Sequence, residues 1–173
     1  EHSVLDHQPI ETADGELRVL VAVAPRDKVH ARLEELAAVG VDPMELAPGA
    51  AALDGLVHFV PEVASEALSL VVNVGPHHTD VCALRRGHVE LARTITVGAR
   101  DLSSAAAGPF TPATIAGGGA ERFSRELRQT LMAIRLATGA EPAAFWLGGE
   151  VQDPALVAWL GDVFGSFSVA LPL

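Results

Sequence analysis

Apolar and polar positions along this chain follow two periods, and the period changes near the middle. "ELRVLVAVAP" (Glu16 to Pro25) is a compact, valine-rich apolar run bounded by Asp14-Gly15 and Pro25, which predicts a buried strand behind a turn. "RDKVHARLEELAAVG" then sets Val29, Leu33, Leu36 and Ala37 at helical spacing and stops at Gly40, a natural left-handed cap. "VDPMELA" predicts a short strand, and "PGAAALDGLVHFV", opened by Pro48, a helix in spite of Gly49 and Gly55. The first segment therefore reads β-α-β-α. Pro61 stops that helix, and "PEVASEA" (Pro61 to Ala67) reads as a connection.

From Leu68 the pattern is that of strands. "LSLVVNVG", "TDVCALRRG" and "HVELARTITVG" are three consecutive strand-like runs, with Arg86-Gly87 as the tight turn between the last two. The small-residue stretch "SSAAAGPFTPATIAGGG" is expected to be irregular. "AERFSRELRQTLMAIRLATG" is the clearest helix: Phe123, Leu127, Leu131 and Ile134 make one apolar stripe and Gly139 ends it. "AAFWLGG" predicts a buried strand. Asp153 as N-cap and Pro154 open a helix that ends at Gly165, and "FSVALPL" is a closing strand. The order β-β-β-α-β-α-β is that of one lobe of the ribonuclease-H-like fold, which actin, Hsp70 and sugar kinases duplicate. The fold class expected is α/β and actin-like but partial. Residues 1–66 would be the C-terminal part of a first lobe and residues 67–173 a complete second one.

Composition narrows the function classes. Hydrophobic residues make up 49% of the 173, enough for an ordered core. Twelve basic against 22 acidic residues give a net charge of −10, which argues against non-specific binding to nucleic acid or anionic lipid. The single cysteine, Cys82, excludes an internal disulfide framework. No apolar run is long enough for a transmembrane span, and no signal peptide is evident. Because the chain opens on Glu1, it is expected to be a piece of a longer protein.

The ordered series of segments resembles the bacterial actin-like assembly proteins represented by the pilus protein PilM and the cytoplasmic part of the type II secretion protein GspL. "VLDHQPI" is similar to the strand before the final β-α-β of the family's first lobe, and "LRVLVAVAPRDKVHARLEELAAVGVDPMELAPGAAAL" to the segments that follow it. "LVVNVGPHHTDVCALRRGHVELARTITVG" resembles the second phosphate loop, and "ERFSRELRQTLMAIRLATGAEPAAFWLGGEVQDPALVAWLGDVFG" the elements on the adenosine side. The family's first phosphate loop lies outside the chain. The small subdomain that roofs the nucleotide is replaced by the Gly, Ala and Pro stretch.

A phosphate loop presents backbone N–H groups to anionic oxygens, with glycine permitting close approach. In actin-like ATPases the loop reads Asp-x-Gly-x-x-x-Thr; here it reads Asn73-Val74-Gly75-Pro76-His77-His78-Thr79. The resemblance marks Asn73, Gly75, Thr79, Gly148 and Gly149 as a vestigial nucleotide site. Asn73 lacks the charge that magnesium favours, and Pro76 removes one N–H. Asp80 is expected on the opposite strand face, a poor substitute. Gly148-Gly149 also has a plainer reading as a tight strand-to-helix turn. No cofactor is therefore expected, with ATP and magnesium left open for the parent protein, and hydrolysis by this chain is not expected.

Other residues carry plainer readings. His77 and His78 lack Cys, Asp or Glu at ligand spacing, and His30, His58 and His88 stand singly, so no metal site is expected. Cys82 reads as a small core residue, and Glu34 and Glu35 as a solvated helix face. Arg122, Arg125, Arg128 and Arg135 read as solvated and paired with Glu121 and Glu126. Trp146 reads as core, while Trp159 is left open between core and exposed anchor. The resemblance implies a pseudo-actin adaptor on the cytoplasmic face of the bacterial inner membrane. It would link platform proteins to the motor ATPase of a type II secretion system, or of a type IV pilus in the PilM-like alternative. Homodimerisation stays open. An ATPase or kinase of the same superfamily is the competing reading, and it would need a catalytic carboxylate.

Overall fold

Two runs at the start of the chain, only the second of them rich in apolar residues, pair as an antiparallel ribbon. Strand β1 (Ser3–Glu11) faces strand β2 (Leu17–Pro25), with Ser3 opposite Pro25 and Glu11 opposite Leu17. Helix α1 (Arg26–Ala38) follows directly. Its end is closed by Gly40 at φ +77°, and the Gly40 and Val41 N–H groups donate to the carbonyls of Ala37 and Leu36 at 3.0 and 2.9 Å. Glycine is suited here because the cap needs a left-handed residue. The computed structural model describes residues 2–11, 17–102, 118–149, 158–161 and 168–170. It divides into two compact units, Glu1–Pro48 and Gly49–Leu173.

Two expectations for the first unit fail. Strand β2 is not buried: Leu17, Val19, Val21 and Val23 are between 46% and 69% exposed, and Leu5 opposite Val23 is 65% exposed. Leu20, Ala22 and Ala24 are partly covered. A two-stranded ribbon with one helix against it has cover for a single face. "VDPMELA" forms no strand. Pro43 lacks the N–H a ladder needs, Met44 is fully exposed, and no strand pairs with it among the described residues.

In the second unit, the helix expected from Pro48 is a 3₁₀ helix over Ala51–His58, and the expected connection holds a second one over Pro61–Ala64. Gly49 and Gly55 weaken α-helix propensity here, and the tighter i→i+3 turn takes over. Strands β3 (Ser69–Val74), β4 (Thr79–Arg85) and β5 (His88–Ile95) form an antiparallel meander. A short helix α2 (Ala99–Leu102) and the long helix α3 (Gly118–Thr138) lead to strand β6 (Ala144–Gly149). Residues 158–161 are helical, and strand β7 (Ser168–Ala170) closes the sheet. The sheet order is β5-β4-β3-β6-β7, with β6 parallel to β3 and β7 parallel to β6. Along the chain, the three antiparallel strands, the long helix and β6 follow the β-β-β-α-β order read from the sequence.

The stripe on α3 builds the core. Phe123, Leu127, Leu131 and Ile134 are buried with Leu70, Val72 and Val74 of β3, Val81 and Ala83 of β4, and Phe145 and Leu147 of β6. Each such large side chain stabilises the fold by roughly 1.5–3 kcal/mol. Trp159 stacks on Phe123 with ring centroids 5.8 Å apart, so it packs on the core side. Arg86 and Gly87 have φ of 55° and 79°, the two positive values a type I′ hairpin turn requires.

Candidate functional site

The expected site residues gather where β3 and β6 end side by side, because the two strands are parallel neighbours. Asn73 lies opposite Gly148, and Val74 opposite Gly149. The carboxyl ends of parallel strands are where ligands of open α/β sheets bind. Gly149 has φ +108°, and a Cβ there would collide with the backbone carbonyl oxygen of Val74. The glycine is thus required by the close approach of the two strands, whatever else the turn does.

The loop from Gly75 to His78 is closed on itself. The Gly75 N–H donates to the His78 carbonyl at 2.9 Å, and Pro76 has no N–H. The carbonyls of Gly75 and Pro76 accept from the N–H groups of Ala99 and Arg100 at 2.9 and 3.1 Å, which ties the loop to the start of α2. A Cβ at Gly98 would collide with the backbone nitrogen of His77, so this seating also needs glycine. Gly98 N–H in turn donates to Asp101 Oδ2 at 2.9 Å. His77 Nε2 lies 3.2 Å from Arg100 Nη1.

Thr79 is fully buried, and its hydroxyl donates to the Val97 carbonyl at 2.8 Å. It lies opposite Val74, on the face packed under α3. The hydroxyl therefore braces the end of β5 instead of projecting into the loop. The expectation for Asp80 is overturned. Asp80 is the direct cross-strand partner of Asn73, and directly opposed residues of an antiparallel pair share a face. Asp80 is 5% exposed; Thr94 Oγ1 donates to its Oδ1 at 2.5 Å, and His78 Nε2 lies 3.6 Å from its Oδ2. A Cβ added at Gly49 would stand 3.2 Å from the same Oδ2. A buried carboxylate thus sits across from Asn73, with Thr94 as its hydrogen-bond donor. The signal was present: four loop residues between Val74 and Thr79 fix a register that sets 73 against 80.

Magnesium-bound phosphates fit the loop poorly. Its first N–H is used internally, its second position is proline, and the threonine hydroxyl is committed to Val97. Elsewhere, burial first and then the Asp54 carboxylate push the Cys82 thiol up to about 12, so the group is a neutral core thiol. The arginines on α3 pair differently from the expectation. Glu126 is held by Arg93 of β5 at 2.7 Å, Arg122 donates to Thr96 at 2.9 Å, and Arg135 holds Glu141 at 2.6 Å. Trp146 is buried as expected, and its indole N–H has no partner among the described residues. Among the described residues no group of three His, Cys, Asp or Glu side chains is placed to hold a metal ion, and no helix is long and apolar enough to cross a membrane. Apart from residues 158–161, the expected helix from Asp153 to Gly165 lies outside the described residues, as does most of the Ser103–Gly119 stretch.

No protein-family model matches the chain, and no curated protein matches it. Among solved structures it is similar to a chain of a PilM-PilN type IV pilus biogenesis complex, with a TM-score of 0.72 and 21% identity over 98% of this chain and 56% of that one. Weaker likenesses are to a Bacteroides thetaiotaomicron protein of actin-like ATPase fold and unknown function (TM-score 0.46, 10% identity, 98% and 55% covered). MreB 5 of Spiroplasma citri bound to AMPPNP is another (TM-score 0.49, 10% identity, 85% and 60% covered). The chain spans little more than half the length of these structures. It has a partial actin-like α/β fold.

Proposed function

We propose that the chain is part of an actin-shaped structural adaptor in a bacterial pilus or type II secretion assembly, joining inner-membrane platform proteins to the motor ATPase. The observation that carries this reading is the burial of Thr79 and the bond from its hydroxyl to the Val97 carbonyl. With Asn73 in place of a carboxylate, the loop keeps its shape while its phosphate-binding groups are spent on the fold. The likeness to the PilM-PilN complex supports an assembly role and favours the pilus branch. The spent loop favours the type II secretion branch. Both branches act at the cytoplasmic face of the inner membrane.

The second reading is a protein that still binds ATP, and Asp80 on the face of Asn73 is the observation in its favour. A thermal melt of the full-length protein with and without excess magnesium-ATP separates the two. Ligand at about a hundred times its dissociation constant stabilises a true binder by roughly 2.7 kcal/mol, several degrees for a protein of this size. An unchanged melt together with co-purification of an inner-membrane platform protein is the outcome expected of the adaptor. A saturable upward shift overturns the spent-site reading.

A further inference from the structure

A second concave site lies away from the strand ends, between the β4–β5 hairpin tip and the two 3₁₀ helices. It is an open pocket of about 390 Å³, lined by Asp54, Val57, His58 and Pro61 on one side and by Arg86 and His88 on the other. That volume is within the range of small-ligand sites. Its lining includes three groups able to bear positive charge, Arg86, His58 and His88, in a chain whose net charge is −10.

Arg86 is the informative residue. The first position of a type I′ turn calls for Asn, Asp or Gly, and a side chain such as arginine there costs about 1 kcal/mol. Arg86 nonetheless occupies it at φ 55°. Backbone outliers that local turn chemistry does not favour concentrate at functional places. The residue is also held firmly. Its N–H donates to the Ser65 carbonyl at 2.9 Å and its Nε to Glu66 Oε2 at 2.6 Å. This exposed ion pair engages Nε and leaves the Nη donors without a hydrogen-bond partner among the described residues. Gly87 packs against Val57 and Ala64, so the hairpin tip is seated on the 3₁₀ pair. His58 and His88, both exposed, have no hydrogen-bond or ion-pair partner among the described residues.

We propose that this pocket binds a small soluble oxyanion, a phosphate or sulfate ester, through Arg86, His58 and His88. An arginine fork matches a tetrahedral oxyanion, and charge-assisted bonds are the strong ones. The net charge of −10 opposes an anionic membrane surface as the source of the group. Asp54 on the first 3₁₀ helix and Glu66 at Arg86 are the acidic groups at this place. Arg85 and Glu90 face each other at 3.9 Å, and Glu62 of the second 3₁₀ helix is outside the lining.

The test is an NMR titration of the 173-residue chain with inorganic sulfate at constant ionic strength. The expected result is saturable shifts confined to residues 54–64 and 85–89. Arg86→Asn, which suits the turn, should fold at least as well and lose saturable binding. His58→Gln with His88→Gln should weaken saturable binding without abolishing it. Shifts spread over the surface without saturation, or an Arg86→Asn chain that binds sulfate as before, overturn the proposal.

Discussion

At the scale of single residues, the strand-end site is decided by what each polar group already does. Thr79 is the clearest case, because its hydroxyl satisfies the Val97 carbonyl inside the core. Thr79→Val keeps the shape and removes the donor, which strands a buried carbonyl and should cost about 1–2 kcal/mol. A urea midpoint measures this; a variant as stable as the parent would mean the hydroxyl is free for other work. Asn73→Asp makes the opposite change. It sets a second carboxylate directly across from Asp80, and like charges so placed are destabilising by up to about 1 kcal/mol. The new carboxyl is favoured by folding only when protonated, so the cost is absent at acid pH and grows as pH rises through the carboxylate range. Excess magnesium should relieve it if the two carboxylates converge on a cation, and melts at two pH values with and without magnesium read both effects. Cys82 has its own pH signature. Its thiol ionises near 9.0 when unfolded and at about 12 when folded. The unfolded chain therefore loses that proton first, and stability falls as pH rises from about 9 toward 12. Cys82→Ala should flatten that limb in alkaline melts, and the native thiol should resist alkylation at neutral pH.

At the scale of elements, glycine marks where two pieces of backbone touch. Gly149→Ala would drive a Cβ into the Val74 carbonyl and strain a residue held at φ +108°. A loss of well over about 2 kcal/mol is expected, with a melt lowered by several degrees or more. A tolerated alanine would release Gly149 from this structural duty and strengthen its reading as room for a nucleoside. Elements of the second unit were legible from the sequence where one period dominated. The stripe of Phe123, Leu127, Leu131 and Ile134 fixed α3, and the Arg86-Gly87 turn fixed the β4–β5 hairpin. The misses share a cause. Val19, Val21 and Val23 carry the apolar signal of a buried strand, but burial depends on what covers a face, and periodicity does not report that. "VDPMELA" has strand-like residues without a strand to pair with. Within one strand Asp80 reads as turned away from the site, whereas the cross-strand register, which sets it against Asn73, is the deciding quantity.

At the scale of the whole molecule, hydrophobic cover is distributed unevenly between the two units. Every apolar residue described as buried lies at Ala50 or beyond. The second unit closes a core on one face of a five-stranded sheet and can in principle fold alone. The first unit consists of a two-stranded ribbon and a 13-residue helix, each at the lower limit of what is stable in water. A fragment of residues 49–173 should therefore melt cooperatively within about 4 °C of the intact chain, the shift that roughly 1 kcal/mol produces at this size. A fragment of residues 1–48 should show little helix or sheet by circular dichroism. In the intact chain, limited proteolysis should cut first in the non-helical segment 41–48, which no described strand or helix protects. If the 49–173 fragment were unfolded, the buried cluster under α3 would be insufficient by itself to hold the five-stranded sheet together.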